Sequence, residues 1–125
     1  MKPVAERLIE LIEEGVFEKV YASREVLHEL YYVSVEEGVS LDEFIARVAA
    51  ITSIRNLVFI ETDYALDLLA FTLMRQFGLQ SVFDAYYAAT ALGRTEDRII
   101  VSTDKVFDRV PGLRRVDPRE LVKIR

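Results

Sequence analysis

Apolar positions recur along the chain in two alternating rhythms, and the alternation predicts strands and helices in turn. Residues 3–14 place Val4, Leu8, Leu11 and Ile12 on one helical face, with Gly15 as the stop. Residues 16–22 read as a short strand, after which Ser23 caps a helix to about Tyr32. Ser40-Leu41-Asp42-Glu43 has the form of a capping box and opens a helix to about Thr52. Residues 57–61, LVFIE, form a continuous apolar run, the pattern of a strand buried on both faces. Thr62 caps a helix that ends at Gly78, and Ser81 caps the next, which ends at Gly93. A strand at 98–102 leads into a short helix at 104–110 that Pro111 breaks. A last strand at 113–116 and a helical turn begun by Asp117-Pro118 complete the order. Strands separated by helices predict an α/β fold with a mainly parallel sheet in one domain spanning residues 1–125.

Two acids interrupt this apolar pattern. Asp84 lies near the start of a helix whose other members include Val82, Phe83, Ala85, Tyr86, Tyr87, Ala88, Ala89, Ala91 and Leu92. A helix this apolar is buried nearly all round, and a carboxylate in it calls for a partner. The competing reading is local: Ser81-Val82-Phe83-Asp84 is itself a capping box, in which Asp84 only satisfies free N–H groups. Asp104 follows a strand in Ser102-Thr103-Asp104, at the carboxyl end where α/β folds place ligands. It too has a plain role as the cap of the short helix after it. Glu29 borders the apolar stripe of Val26-Leu27-His28-Glu29-Leu30, and on its own reads as a helix-flank residue. Asp108, four residues beyond Asp104, shares its helical face.

Composition narrows the chemistry these acids could serve. The chain of 125 residues contains no Cys and one His, so thiolate sites, Cys nucleophiles and His-rich metal sites are set aside. Any metal would be held by oxygen, which favours Mg2+ or Mn2+. Charge is uneven within a net −5: residues 1–62 carry six basic against twelve acidic side chains, residues 94–125 nine against six. A basic C-terminal segment beside an acidic site suits a phosphate-bearing substrate, and it also suits an ordinary solvated surface. No apolar run is long enough to cross a bilayer and no leader pattern is visible, so the expected compartment is the cytoplasm. The tyrosines Tyr31, Tyr32, Tyr86 and Tyr87 read as core and rim packing. No glycine-rich phosphate loop or nucleophile elbow is present.

Taken together, Asp84-Ala85, Ala88-Ala89, Ser102-Thr103-Asp104, Phe107, Pro111-Gly112-Leu113 and the Val26-Leu27-His28-Glu29-Leu30 helix resemble the PIN domain, the fold of VapC-type toxin ribonucleases. The resemblance runs through nearly the whole chain. It implies a three-layer αβα fold and metal-dependent hydrolysis of RNA. Glu29, Asp84 and Asp104 would be the catalytic acids and metal ligands, with Asp108 a fourth. Arg94, Lys105 and Arg109, close in sequence to these acids, are the candidate phosphate contacts. Toxin-type members pair with a small antitoxin protein and often form homodimers.

One departure is large. PIN domains begin with a strand that ends in a metal-binding Asp and lies at the centre of the sheet, whereas this sequence opens directly in a helix. Three accounts fit: the first residue given lies past the natural start, the protein is a degenerate member, or another chain supplies the strand. The last two make a non-catalytic PIN-like interaction module the main alternative. A phospho-accepting receiver domain would need an acid pair after the first strand, and none is found.

Overall fold

The computed structural model describes residues 2–123. Among them, six α-helices and four strands follow in the order α1 (Lys2–Glu13), β1 (Val20–Ser23), α2 (Val26–Glu36), α3 (Leu41–Thr52), β2 (Leu57–Ile60), α4 (Tyr64–Phe77), α5 (Val82–Arg94), β3 (Ile99–Val101), β4 (Arg114–Val116) and α6 (Pro118–Val122). A 3-10 helix, Lys105–Arg109, lies between β3 and β4. The predicted α/β class and parallel pairing are present. The four strands do not form one sheet, however. β1 pairs with β2 and β3 with β4, each in parallel, as two separate two-stranded sheets.

Hydrogen-bond direction explains the separation. Val20 N–H donates to Asn56 O at 2.8 Å and Arg24 N–H to Ile60 O at 3.0 Å, so the even-numbered residues of β1 face β2. Alternation turns the main-chain groups of Tyr21 and Ser23 to the opposite edge. Ser102 N–H donates to Val116 O at 3.0 Å and Arg114 N–H to Arg98 O at 2.9 Å. Ile99 and Val101 of β3 therefore also present their main-chain groups away from their partner strand. Helix α5 packs against both β1 and β3, so the two free edges lie under one helix. That is where a central strand would stand, as the family pattern predicts.

The core is built around α4 and α5. Leu66, Ala70 and Leu73 of α4 meet Ala85, Ala88 and Ala89 of α5, and Leu79, Phe107 and Val110 close the cluster. The alanines let the helices approach closely, and a Cβ on Gly93 would already lie 3.1 Å from Leu69 Cδ2. The predicted burial of α5 is thus observed for Ala85, Ala88, Ala89, Thr90 and Ala91. The expectation for residues 57–61 is corrected. None of Leu57–Ile60 is fully buried and Val58 is exposed, because β2 is the outer strand of a two-stranded pair.

Helix starts follow their caps at several positions. Ser40 Oγ accepts from Glu43 N–H at 3.1 Å, Ser81 Oγ from Asp84 N–H at 3.3 Å, and Gly78 ends α4 with φ 69°. Two predicted caps move. Ser23 Oγ accepts from Glu25 N–H at 3.1 Å, and α2 starts two residues later than a Ser23 cap requires. Asp63, not Thr62, caps α4, through Leu66 N–H at 2.9 Å. Strand β1 begins at Val20, later than the expected residue 16, because residues 16–18 bend before it.

Candidate active site

Asp84 stands in the first turn of α5, held there by the Ser81 cap. Its carboxylate accepts no hydrogen bond among the described residues, so the capping box is one-sided: the hydroxyl caps, while the acid remains free for other work. Asp84 is partly buried. Burial raises its pKa above the ordinary carboxylate value, and the charges of Asp104 and Glu29 raise it further. That mutual repulsion identifies Asp104 and Glu29 as its electrostatic neighbours, although the three belong to different parts of the chain.

Asp104 follows β3 and caps the 3-10 helix, with Oδ1 accepting from Val106 N–H at 2.9 Å. The cap reading and the site reading of Asp104 therefore hold together, because its second oxygen is not used by the cap. Glu29 lies in the first turn of α2. It is not a solvated flank residue: the Tyr87 hydroxyl donates to Glu29 Oε1 at 2.6 Å. Burial, then the hydrogen bond to Glu29, push the Tyr87 hydroxyl well above the ordinary tyrosine range. The neighbouring Tyr86 hydroxyl donates to Asp67 of α4, and that bond, with burial, raises its pKa to about 12. Consecutive helix residues point about 100° apart, since 3.6 residues make a turn, so the two tyrosines fasten α5 to helices on different sides. From the sequence both tyrosines read as packing residues. The signal it lacked was a facing acid 58 residues from Tyr87.

The remaining candidates separate from this cluster. Asp108 is held by Arg115, whose Nε lies 3.0 Å from Oδ1. Arg94 is at the far end of α5 from Asp84, and ten residues of helix span about 15 Å. Its guanidinium pairs with Asp63 at 2.7 Å. Arg109 donates to the Gly78 carbonyl at 3.1 Å, which ties the 3-10 helix to the end of α4. Lys105 is exposed beside Asp104 in sequence and has no ion pair among the described residues. His28 is exposed and contacts Glu25 at 3.2 Å.

Donor type and charge at Glu29, Asp84 and Asp104 fit a hard divalent cation, which would relieve their mutual repulsion. Among the described residues, however, no three His, Asp or Glu side chains are gathered tightly enough to enclose an ion. Asp104 follows the end of β3, Asp84 stands in the first turn of α5, and Glu29 lies in α2, the helix after β1. A cleft of about 740 Å³ lined by Glu13, Gly15, Phe17, Arg55 and Asn56 lies at the other ends of β1 and β2 and contains none of these acids.

The fold defines a class: α/β chains with parallel strand pairs and, here, an acid, Asp104, just past the carboxyl end of β3. The family model of the PIN domain matches residues 2–113, most of the chain, and the chain belongs to the PIN domain family. Membership places it in a superfamily of nucleases; PIN domains generally use divalent metal ions, and PIN nucleases act on RNA. Comparison with curated proteins and with solved structures gave no match. No helix among the described residues is long and apolar enough to cross a membrane.

Proposed function

We propose that this chain carries the acidic centre of a VapC-type endoribonuclease that hydrolyses RNA phosphodiesters with Mg2+ or Mn2+. The single observation that supports this most is the state of Asp84: a partly buried carboxylate without a hydrogen-bond partner among the described residues, its pKa raised by burial and by the charges of Asp104 and Glu29. Apolar helices do not keep such a group for stability, since an unpaired acid there is a cost. A divalent ion held there would supply Lewis acidity toward water and phosphate. Asp84 and Asp104 are its direct or water-mediated holders, and Glu29 is the third. Asp108 is engaged by Arg115 and takes no part in this reading. Lys105, exposed, next to Asp104 in sequence and without an ion pair among the described residues, is the proposed phosphate contact, while Arg94 and Arg109 act in holding α5, α4 and the 3-10 helix. In the reaction a water oxygen bonds to phosphorus as the bond to the leaving ribose oxygen breaks and that oxygen takes up a proton. The expected compartment remains the cytoplasm, and an antitoxin protein and a second copy of the chain are the proposed partners.

The deciding experiment is cleavage of a structured RNA by this chain with Mn2+, with Mg2+ and with chelator. Metal-dependent cleavage is expected, and Asp84→Asn or Asp104→Asn should lower its rate by at least about 100-fold, a loss of roughly 2.7 kcal/mol of transition-state stabilisation. Cleavage that persists unchanged in both variants would refute the assignment.

A second reading, a PIN-like interaction module without activity, draws on two observations: no enclosed set of three ligands among the described residues, and a sheet divided at its centre. It predicts no cleavage by this chain under any metal condition, while the fold and any partner binding persist.

A further inference from the structure

We infer that Tyr87 is a positioning residue for Glu29, using its hydroxyl to hold that carboxylate on the Asp84 face of α5 against the repulsion of the other acids. This rests on the metal-centre reading above and names a residue that the reading does not contain. Tyr87 and Asp84 are three apart on α5 and therefore share a face. The hydroxyl donates to Glu29 Oε1 at 2.6 Å and leaves Oε2 without a partner among the described residues. Beyond this bond, α2 meets α5 through a second aromatic contact, Tyr32 with Phe83, whose ring centres are 6.2 Å apart. Phe83 and Tyr87 are four apart on α5, and Glu29 and Tyr32 three apart on α2, so the two contacts form one seam. Elsewhere on that part of α2, Tyr31, Val33 and Val35 are exposed and Ser34 is buried. The aromatic contact holds the helix but cannot orient a carboxylate. Only the hydroxyl does that, and a phenylalanine would fill the same space.

The test is Mn2+ binding, read by calorimetry and by loss of the free-ion spin-resonance signal, on the full chain without RNA. Tyr87→Phe should raise the Mn2+ dissociation constant by about 10-fold, the lower end of what removing a partner of a metal ligand costs. The far-ultraviolet spectrum of Tyr87→Phe should match that of the wild type. Glu29→Gln should weaken binding at least as much, and adding Tyr87→Phe to Glu29→Gln should cost nothing more, because the hydroxyl acts through that acid. Glu29→Asp, which keeps the charge but draws the carboxylate away from the hydroxyl, should resemble Tyr87→Phe and provides the same test should that variant not fold. Unchanged Mn2+ affinity in Tyr87→Phe, or a loss that adds in full to that of Glu29→Gln, would overturn the positioning role and leave the metal centre standing. Absence of Mn2+ binding by the wild-type chain would overturn both.

Discussion

Asp84 is a residue whose cost to stability and use to function pull in opposite directions. In the unfolded chain its carboxyl ionises near 3.8, and in the fold burial and the nearby charges of Asp104 and Glu29 raise that value. Between the two values the folded chain binds the proton more tightly than the unfolded one. Stability therefore falls as pH rises through that window, and stays lower above it. Asparagine keeps the shape and discards the charge. Asp84→Asn should raise the thermal midpoint of the metal-free chain at neutral pH by a few degrees, and that gain should vanish below the unfolded value. Thermal melts in chelator across a pH series measure this. A lower midpoint for Asp84→Asn at neutral pH would mean that the carboxylate is stabilised by a contact, and the case for an ion at this position would fail with it.

Elements show which features were legible from local sequence. Ser40, Ser81, Asp104 and Asp117 all cap the helices their spacing predicted, because a cap needs only the next three residues. Ser23 and Thr62 do not, and both are diverted toward Glu25. Ser23 accepts from the Glu25 N–H, and Thr62 donates to Glu25 Oε2 at 2.7 Å, a partner 37 residues away. The same limit hid Tyr87. Glu29 was visible on the edge of an apolar stripe, but only the tertiary fold brings α2 against α5. Helix α6 offers a test of a legible cap. Arg119 pulls the Asp117 pKa down to about 2, helped by the Arg119 N–H that the cap receives. An acid held below its unfolded value contributes stability above that value and loses it as pH falls toward the folded one. α6 packs against α1. Amide exchange in α1 and α6 should therefore quicken as pH drops from 3.8 toward about 2, after correction for the intrinsic rate. In Asp117→Asn that acid step should be absent. An identical step in both proteins would assign it to another carboxylate.

At the scale of the whole molecule, the divided sheet governs how the site is held. Glu29 follows β1, Asp104 follows β3, and Asp84 sits on the helix that spans both, so the spacing of the two half-sheets sets the spacing of the acids. The family pattern puts a strand between β1 and β3, and the pairing among the described residues tells which main-chain groups face that side. Tyr21 and Ser23 on β1 and Val101 on β3 direct their N–H groups into the gap, whereas Ala22 and Ile100 direct theirs at a paired strand. Ile99 differs from the other inward groups, since its N–H donates to Asp97 Oδ1 at 3.2 Å. Parallel strands are normally buried and paired on both sides, because lone main-chain groups away from water are costly. In dilute solution of this chain, the exposed Tyr21 and Val101 amides should exchange at least about tenfold faster than those of Ala22 and Ile100, since only the latter need an opening event to reach water. A strand laid in parallel between β1 and β3, whether from a longer form of the chain or from another molecule, should slow the first set to the rate of the second. It should also tighten Mn2+ binding, because it fixes the distance between the elements that carry Glu29 and Asp104. Equal protection of the two sets in the chain alone, independent of its concentration, would show that the half-sheets close on each other without a fifth strand, and would sever the link between the gap and the geometry of the acids.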